Sequence, residues 1–212
     1  MGKVIAVFNQ KGGVGKTTTN VNLTASLGAM GKKILVLDLD PQGNTTSGYG
    51  IDKQSVDGTI YDVIIDGVDI NETILNTEFE NIDIIASDTD LAGCEIELTS
   101  RESREYILKN SIDKVRDNYD YIFIDTPPIG VVTDAGIIST YSDGCVFVVG
   151  SKQCDIEMAK IAKKRLEDVG ANIIGAVLNK FEAEGNGYNY YNYYYQHESG
   201  RKGRNKKKAA AL

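Results

Sequence analysis

The sequence predicts an α/β fold of three layers, a mostly parallel β-sheet with helices on both faces. Its apolar runs are short, rich in Val and Ile, and continuous rather than alternating, which is typical of strands buried on both faces. Between these runs lie stretches whose apolar positions are three and four residues apart, as in amphipathic helices. Strands that alternate with helices imply right-handed crossovers, which bring the carboxyl ends of the strands to one edge of the sheet, where ligands bind.

The apolar runs set the predicted strands, in chain order, at Val4–Phe8, Ile34–Leu37, Ile82–Ile85, Tyr121–Ile124, Cys145–Val149 and Ile173–Leu178. The helical spacing between them sets the predicted helices at about 16–30, 58–66, 90–117, 133–141 and 155–169. Residues 1–182 are expected to form one folded domain. Residues 183–212, from just before Gly185-Asn-Gly, contain too few aliphatic side chains for a core and are expected to form a flexible tail.

The composition is that of a soluble globular protein, with 42% hydrophobic and 25% charged residues among 212. This balance excludes collagen, coiled coils and wholesale disorder. No apolar run approaches the roughly 18 residues that a membrane span needs. With one histidine and three well-separated cysteines, neither a structural zinc site nor a disulfide framework is expected. We therefore expect a cytosolic protein, or one on the cytosolic face of a membrane.

The net charge of −7 is distributed unevenly along the chain. The last twelve residues contain six basic residues and no acidic one, so removing those six charges from −7 leaves −13 for residues 1–200. An acidic body is a poor electrostatic match for nucleic acid. The basic tail is a solubilising end in the simplest interpretation; weak contact with DNA or with an anionic membrane surface is the alternative.

A glycine-rich loop between the first predicted strand and the first predicted helix is typical of phosphate binding. It comprises Lys11-Gly12-Gly13-Val14-Gly15-Lys16-Thr17-Thr18. Glycines let backbone N–H groups surround phosphate oxygens, and the helix N-terminus adds partial positive charge. Lys16 is expected to contact the β- and γ-phosphates of a nucleotide, and the Thr17 hydroxyl to ligate Mg²⁺. The pattern G-x-x-x-x-G-K-[ST] is broken at its first position, where Gln10 stands, and the loop carries a second lysine, Lys11.

Acidic residues follow two of the predicted strands at this same edge of the sheet. Asp38 and Asp40 follow the second strand, and Asp125 follows the fourth. Mg²⁺ is a hard cation that takes few carboxylates together with water and phosphate oxygens. The sequence therefore predicts a magnesium site made by Thr17, Asp38, Asp40 and Asp125.

Residues 1–126 resemble the deviant Walker A ATPases of the ParA and MinD group, which include the ParA partitioning proteins. The resemblance depends on the phosphate loop, on Asp38-Leu-Asp-Pro-Gln-Gly-Asn, on Leu91-Ala-Gly-Cys-Glu-Ile-Glu-Leu and on Ile124-Asp125. It implies a P-loop fold that uses ATP and Mg²⁺ and associates with itself. It also implies that Lys11 crosses a dimer interface to the partner's nucleotide, and that the catalytic set is Lys11, Lys16, Asp38, Asp40 and Asp125.

Residues 125–195 are similar instead to bacterial tyrosine kinases of capsule and exopolysaccharide synthesis. The motifs are Asp125-Thr-Pro-Pro-Ile-Gly-Val-Val-Thr-Asp134, Ser142-Asp-Gly-Cys and Gly170 to Lys180, followed by a tyrosine-rich end. This resemblance implies a membrane adaptor as activator, a tyrosine phosphatase, and Asn179 and Lys180 at the adenine base. The implied phosphoacceptors are Tyr188, Tyr190, Tyr191, Tyr193, Tyr194 and Tyr195. The kinases' Glu-x-x-Arg-x-x-Arg stretch before the loop is missing, and Lys11 is foreign to them.

Three functions follow from these features. The favoured hypothesis is an ATP-dependent tyrosine autokinase, acting in trans on the tail and regulating polysaccharide synthesis, with Asp38 as the base. The alternative is a dimerising ATPase switch that positions DNA or another cargo. A nucleic-acid-binding module, based on the tail alone, is the third. The tyrosine cluster favours the kinase, whereas Lys11 favours the switch.

Overall fold

A computed structural model of the chain describes residues 1–127 and 134–182. Its sheet has seven strands in the order β3-β4-β2-β5-β1-β6-β7. They are β1 (Lys3–Asn9), β2 (Ile34–Asp38), β3 (Ile74–Asn76), β4 (Ile82–Ile85), β5 (Tyr121–Asp125), β6 (Gly144–Gly150) and β7 (Ile173–Asn179). Five of the six neighbouring pairs are parallel, and only the edge pair of β3 and β4 is antiparallel. The predicted α/β class is confirmed, and all six predicted strands are present.

Six α-helices connect the strands in the described ranges. They are α1 (Lys16–Ala29), α2 (Asn44–Gly48), α3 (Cys94–Leu98), α4 (Ile107–Val115), α5 (Asp134–Tyr141) and α6 (Ile156–Asp168). A π-helical turn at Asp62–Asp66 falls within the predicted helix 58–66. Short 3₁₀ turns lie at Ile70–Glu72, Thr89–Gly93, Arg104–Tyr106 and Arg116–Asn118. No helix in these ranges has the length and apolar content that crossing a bilayer would require.

The prediction of one continuous helix over 90–117 is wrong. The segment breaks after α3, and Ser103 there adopts a left-handed backbone with φ of 55°, which a helix cannot contain. Arg101 lies in the break, where its guanidinium donates to the carbonyl oxygens of Ile64 and Ile65 at 3.4 and 2.5 Å. The break thus lets a side chain satisfy the carbonyls of the π-helical turn, a long-range contact that helical spacing cannot reveal.

The core has two layers, one on each face of the sheet. All five residues of β2 are buried, with Leu35 and Leu37 in one layer and Ile34 and Val36 in the other. The first layer also contains buried residues of α4, α5 and α6, and the second is covered by partly buried side chains of α1. Strands covered on both faces explain why the apolar runs are continuous.

Strand register determines the positions of the acidic residues. Residues of β2 and β5 pair in order from Ile34 opposite Tyr121, so the last pair places Asp38 opposite Asp125. On its other side β5 pairs with β1, where Asp125 is opposite Val7, four residues before the phosphate loop begins at Lys11. Parallel pairing therefore brings the phosphate loop and two carboxylates to one edge of the sheet.

Candidate nucleotide-binding site

The phosphate loop connects β1 to α1 through backbone conformations that suit glycine. Gly13 and Gly15 have φ of 77° and 93°, in the left-handed region that L side chains rarely adopt. Space is also limited at Gly15, where a Cβ atom would lie 1.9 Å from Asn179 Nδ2. The loop conformation therefore depends on glycine at this position for two independent reasons.

Replacing Gly15 with alanine is expected to weaken ATP binding at least about tenfold, because the strained turn must open and displace Asn179. Isothermal titration calorimetry with ATP and Mg²⁺ measures this. Gly31, also left-handed at φ of 79° but with open space around its Cβ position, is the matched control. Gly31→Ala should bind ATP as the wild type does. Equal weakening in both variants would show that the contact with Asn179 contributes nothing.

Lys16 begins α1 and points into the protein. Its side chain is 5% exposed, and its ammonium forms an ion pair with the buried carboxylate of Asp125. Asp125 Oδ2 also accepts hydrogen bonds from the hydroxyls of Thr17, at 2.9 Å, and of Thr45, at 2.5 Å. The carboxylate thus joins the start of α1 to α2, the short helix that follows β2.

Asp38 is the second buried carboxylate at this edge. Its Oδ2 accepts hydrogen bonds from the backbone N–H and the hydroxyl of Thr46, both at 2.8 Å, and its Oδ1 accepts one from the N–H of Asp40 at 3.2 Å. Burial, and then the negative charge of Asp125, raises the pKa of Asp38 to about 6. A nearby cation would oppose both effects, so this is a suitable position for a metal ligand.

Three of the four predicted metal ligands lie next to one another in the structure. The Thr17 hydroxyl donates a hydrogen bond to Asp125, and Asp125 lies opposite Asp38 in the sheet. Asp40 lies at the flank, on the loop after β2, where its carboxylate accepts a hydrogen bond from the N–H of Gln42 at 3.0 Å. Its side chain thus stabilises the turn of its own loop. Its assignment as a metal ligand stays a prediction.

Lys11 is placed quite differently from Lys16. It is exposed, and its ammonium lies 3.5 Å from the backbone oxygen of Gln153 in the loop between β6 and α6. Gly12 and Thr18 are exposed as well, whereas Val14 is buried. The loop therefore has an inward lysine at its end and an outward lysine at its start.

The residues predicted to contact the adenine base contact the phosphate loop itself. Asn179 Nδ2 donates to the carbonyl oxygen of Val14 at 2.9 Å, and Lys180 Nζ donates to that of Gly13 at 2.6 Å. The base contacts stay a prediction. The predicted phosphoacceptors, Tyr188, Tyr190, Tyr191, Tyr193, Tyr194 and Tyr195, lie outside the described residues.

Sequence reasoning missed the two threonines of α2 that hold the carboxylates. Thr45 and Thr46 are fully buried, and the Thr46 hydroxyl also accepts a hydrogen bond from the N–H of Ser87 at 3.0 Å. The available signal was their position, because the pair directly follows the motif from Asp38 to Asn44. Hydroxyls that bind buried carboxylates offset the cost of removing them from water.

The donors at this edge fit the triphosphate of a nucleotide with Mg²⁺. The outer side of the loop is open, since Cβ atoms at Gly12 and Gly13 would meet nothing within 4 Å. The N-terminus of the 14-residue α1 follows directly, and its unpaired N–H groups and dipole favour an anion. Lys16 adds a full positive charge, and hydroxyl and carboxylate oxygens are the ligands that Mg²⁺ prefers.

Comparison of the sequence with known proteins identifies relatives for most of the chain. The family model described as AAA domain matches residues 2–169. The sporulation initiation inhibitor protein Soj of Bacillus subtilis is 50% identical over 156 residues, which cover 73% of this chain and 60% of Soj. The chromosome partitioning protein ParA of Myxococcus xanthus is 42% identical over 134 residues, 63% of this chain and 47% of that protein. The chain thus spans about half to three fifths of these relatives, and the expected resemblance to ParA proteins is confirmed.

Solved structures show the same fold. A cobyrinic acid a,c-diamide synthase from Mycobacterium smegmatis, with bound ADP and magnesium, has a TM-score of 0.77 and 29% identity, covering 84% of this chain and 74% of that one. The kinase domain of the Escherichia coli tyrosine kinase Etk has a TM-score of 0.74 and 21% identity, covering 88% and 72%. At that identity the likeness to Etk concerns the fold alone.

Proposed function

We propose, from the premise that the chain belongs to the AAA-domain family, that it is an ATP-driven dimerising switch of the ParA/MinD kind. ATP binding would join two copies, and hydrolysis would separate them. On the sequence alone this function ranks second, behind the tyrosine autokinase. The relatives support it better, because Soj and ParA share 50% and 42% sequence identity with the chain, whereas the Etk kinase domain shares 21% and supports the fold alone.

The observation that carries the proposal is the opposite placement of two lysines on one loop. Lys16 is buried against Asp125, so it serves the nucleotide of its own copy. Lys11 is exposed on the outer side of the loop, where a second copy can approach. A lysine that only stabilised its own loop would need no such position. Two copies facing each other through their phosphate loops would each offer Lys11 to the partner's phosphates.

ATP and Mg²⁺ are the proposed cofactors. The backbone N–H groups of residues 12–18 and Lys16 would hold the phosphates, and Thr17, Asp38 and Asp125 would hold Mg²⁺. When bound, Mg²⁺ offsets negative charge on the phosphate oxygens. Asp125 keeps the Lys16 ammonium at the base of the loop, and Thr46 fixes the orientation of the Asp38 carboxylate. The site is therefore ordered by its own side chains.

The proposed switch acts in the cytoplasm and positions DNA or another cargo. We expect a cytoplasmic protein whose acidic body makes little contact with nucleic acid, so that DNA contact depends on the basic residues after residue 200. A second protein that recognises the dimer would then link it to DNA or to another cargo. The ParA relative is named for chromosome partitioning, which supports this kind of role.

A tyrosine autokinase is the second candidate, and one specific observation favours it. Six tyrosines stand between Tyr188 and Tyr195, and a partitioning switch has no evident use for them. The fold shared with the Etk kinase domain is compatible with this activity. A kinase of this type would act with a membrane adaptor and a tyrosine phosphatase. It would regulate exopolysaccharide synthesis.

Replacing Lys11 with alanine is expected to abolish ATP-dependent dimerisation while leaving ATP affinity within about threefold of the wild type, because one exposed charge contributes little within its own copy. Sedimentation velocity with a non-hydrolysable ATP analogue and Mg²⁺ measures the dimer, and calorimetry measures affinity. Lys32→Ala removes an exposed lysine away from the loop and should dimerise normally. A wild type that stays monomeric at every concentration would contradict the switch.

Mass spectrometry of the same samples separates the two candidates. The switch predicts ADP release without phosphotyrosine at Tyr188–Tyr195. Phosphotyrosine there that is lost in Lys16→Ala and increases with protein concentration would establish trans autophosphorylation instead. A sample with an adaptor's cytosolic segment added extends the test to an activator-dependent kinase.

A further inference from the structure

We propose that Asn179 and Lys180 are positioning residues, which hold the phosphate loop in its binding conformation from the end of β7. The inference deepens the proposed function, because it concerns the same nucleotide site. It assigns these two side chains to the loop backbone rather than to the adenine base. The contact joins parts of the chain that are 165 and 167 residues apart.

Asn179 is fixed on two sides. Its Nδ2 donates to the carbonyl oxygen of Val14 at 2.9 Å, and its own backbone oxygen accepts a hydrogen bond from Ser151 at 2.8 Å. The approach to the loop is so close that only glycine fits at position 15, where a Cβ atom would lie 1.9 Å from Nδ2. Asn179 and Gly15 are therefore fitted to each other.

Lys180 contacts the neighbouring carbonyl. Its ammonium donates to the backbone oxygen of Gly13 at 2.6 Å, and its backbone is left-handed with φ of 56°. A non-glycine residue in this region is strained and persists where surrounding contacts hold it in place. The hydrogen bond to Gly13 is such a contact, so the turn after β7 is shaped to deliver the lysine to the loop.

Together the two residues bind two consecutive carbonyls of the loop. A phosphate-binding loop works when its N–H groups converge on the anion, which requires its carbonyl groups to turn away. Carbonyl oxygens turned away from the ligand need donors of their own. Asn179 and Lys180 supply these donors for Val14 and Gly13, so they favour the loop conformation in which the N–H groups converge.

The sheet order makes this contact possible. β6 lies between β1 and β7, so the carboxyl end of β7 is two strands from the start of the loop. Gly150 at the end of β6 leaves room between them, since a Cβ atom there would lie 3.2 Å from the Val14 side chain. The Asn179 and Lys180 side chains can therefore reach past β6 to the loop.

Calorimetry with ATP and with GTP, each with Mg²⁺, tests the proposal on Asn179→Ala and Lys180→Met. A residue that positions the loop affects binding of the phosphates, which ATP and GTP share. Each variant should therefore weaken the binding of ATP, and of GTP where it is measurable, by the same factor of about tenfold. Asn172→Ala is the matched control. Its amide also donates to a backbone oxygen, that of Asp143 at 2.6 Å, but at the opposite end of β7. It should bind both nucleotides as the wild type does.

Hydrogen exchange without nucleotide gives a second measurement that does not depend on ATP binding. The backbone amides of residues 13–16 should exchange several-fold faster in Asn179→Ala and Lys180→Met than in the wild type or in Asn172→Ala. The exposed Lys180 provides a variant whose folding is not at risk. Global unfolding of Asn179→Ala would be recognised by faster exchange throughout the sheet.

Two results would overturn the inference. Weaker ATP binding with unchanged GTP binding and unchanged loop exchange would show that these side chains contact the base. Wild-type affinity and exchange in both variants would show that the hydrogen bonds do not shape the loop. A wild type that binds no nucleotide would refute the proposed function, while the exchange measurement would still decide whether the two residues hold the loop.

Discussion

Replacing Lys16 with alanine is expected to abolish measurable ATP hydrolysis and to weaken ATP binding by about a hundredfold or more. The lysine supplies the only buried cation among the described residues of the site, and removing a preorganised charge next to a phosphate costs factors of this size. The variant should also be less stable by about 3 kcal/mol, because the buried Asp125 carboxylate loses its ion-pair partner. Thr17 and Thr45 still donate hydrogen bonds to that carboxylate. The loss of stability should therefore lie at the lower end of the range for buried ion pairs that lose one partner.

Calorimetry and urea unfolding measure the two effects separately. Lys163→Ala is the control for the loss of an ion pair, because Lys163 pairs with Glu167 on the surface of α6 with both side chains about half exposed. An exposed pair of this kind contributes less than about 1 kcal/mol. Lys16→Ala that binds ATP normally would place the phosphates somewhere other than this loop.

Replacing Asp38 with asparagine is expected to remove a pH dependence of stability. Burial raises the pKa of Asp38 to about 6 in the folded protein, from 3.8 for an unperturbed carboxyl. Between these values the folded state holds a proton that the unfolded state has released. Stability from this group is therefore fully present below about pH 4 and is lost as pH rises through 6. The difference of two pKa units corresponds to about 3 kcal/mol.

The measurement is the free energy of unfolding in urea between pH 4 and 8, in EDTA and without nucleotide. The difference between wild type and Asp38→Asn isolates this carboxyl from all others. It should change by up to about 3 kcal/mol in favour of the variant as pH rises. Asp40→Asn, at the flank of the site, is the control and should track the wild type. ATP hydrolysis should be lost in Asp38→Asn, because an uncharged amide is a poor replacement for a carboxylate metal ligand.

The sequence predicted the parts of the fold that are encoded locally. The unbroken apolar run of β2 indicated burial on both faces, and Gly15-Lys16-Thr17 indicated a phosphate loop before α1. The break at Ser103 was not predictable, because it depends on Arg101 reaching the carbonyls of the π-helical turn. Spacing alone cannot reveal such a tertiary contact.

The site was predicted less completely for the same physical reason. Asp38 and Asp125 could be placed at one edge because parallel strands bring their carboxyl ends together. The contact from Asn179 to Val14 depends on the order of strands in the sheet, which apolar patterns do not give. The roles of Thr45 and Thr46 depend on a short helix that folds over the ends of β2 and β5.

The register between β2 and β5 limits the insertions and deletions that the gene can tolerate. Asp38 lies opposite Asp125 because residues are paired without interruption from Ile34 and Tyr121 onward. One codon inserted within either strand would turn the carboxylate to the opposite face of the sheet. Codons inserted in the exposed turn around Gln54, by contrast, would only lengthen a loop. Among natural variants of this chain, insertions and deletions should therefore accumulate in the turns and be absent from 34–38 and 121–125.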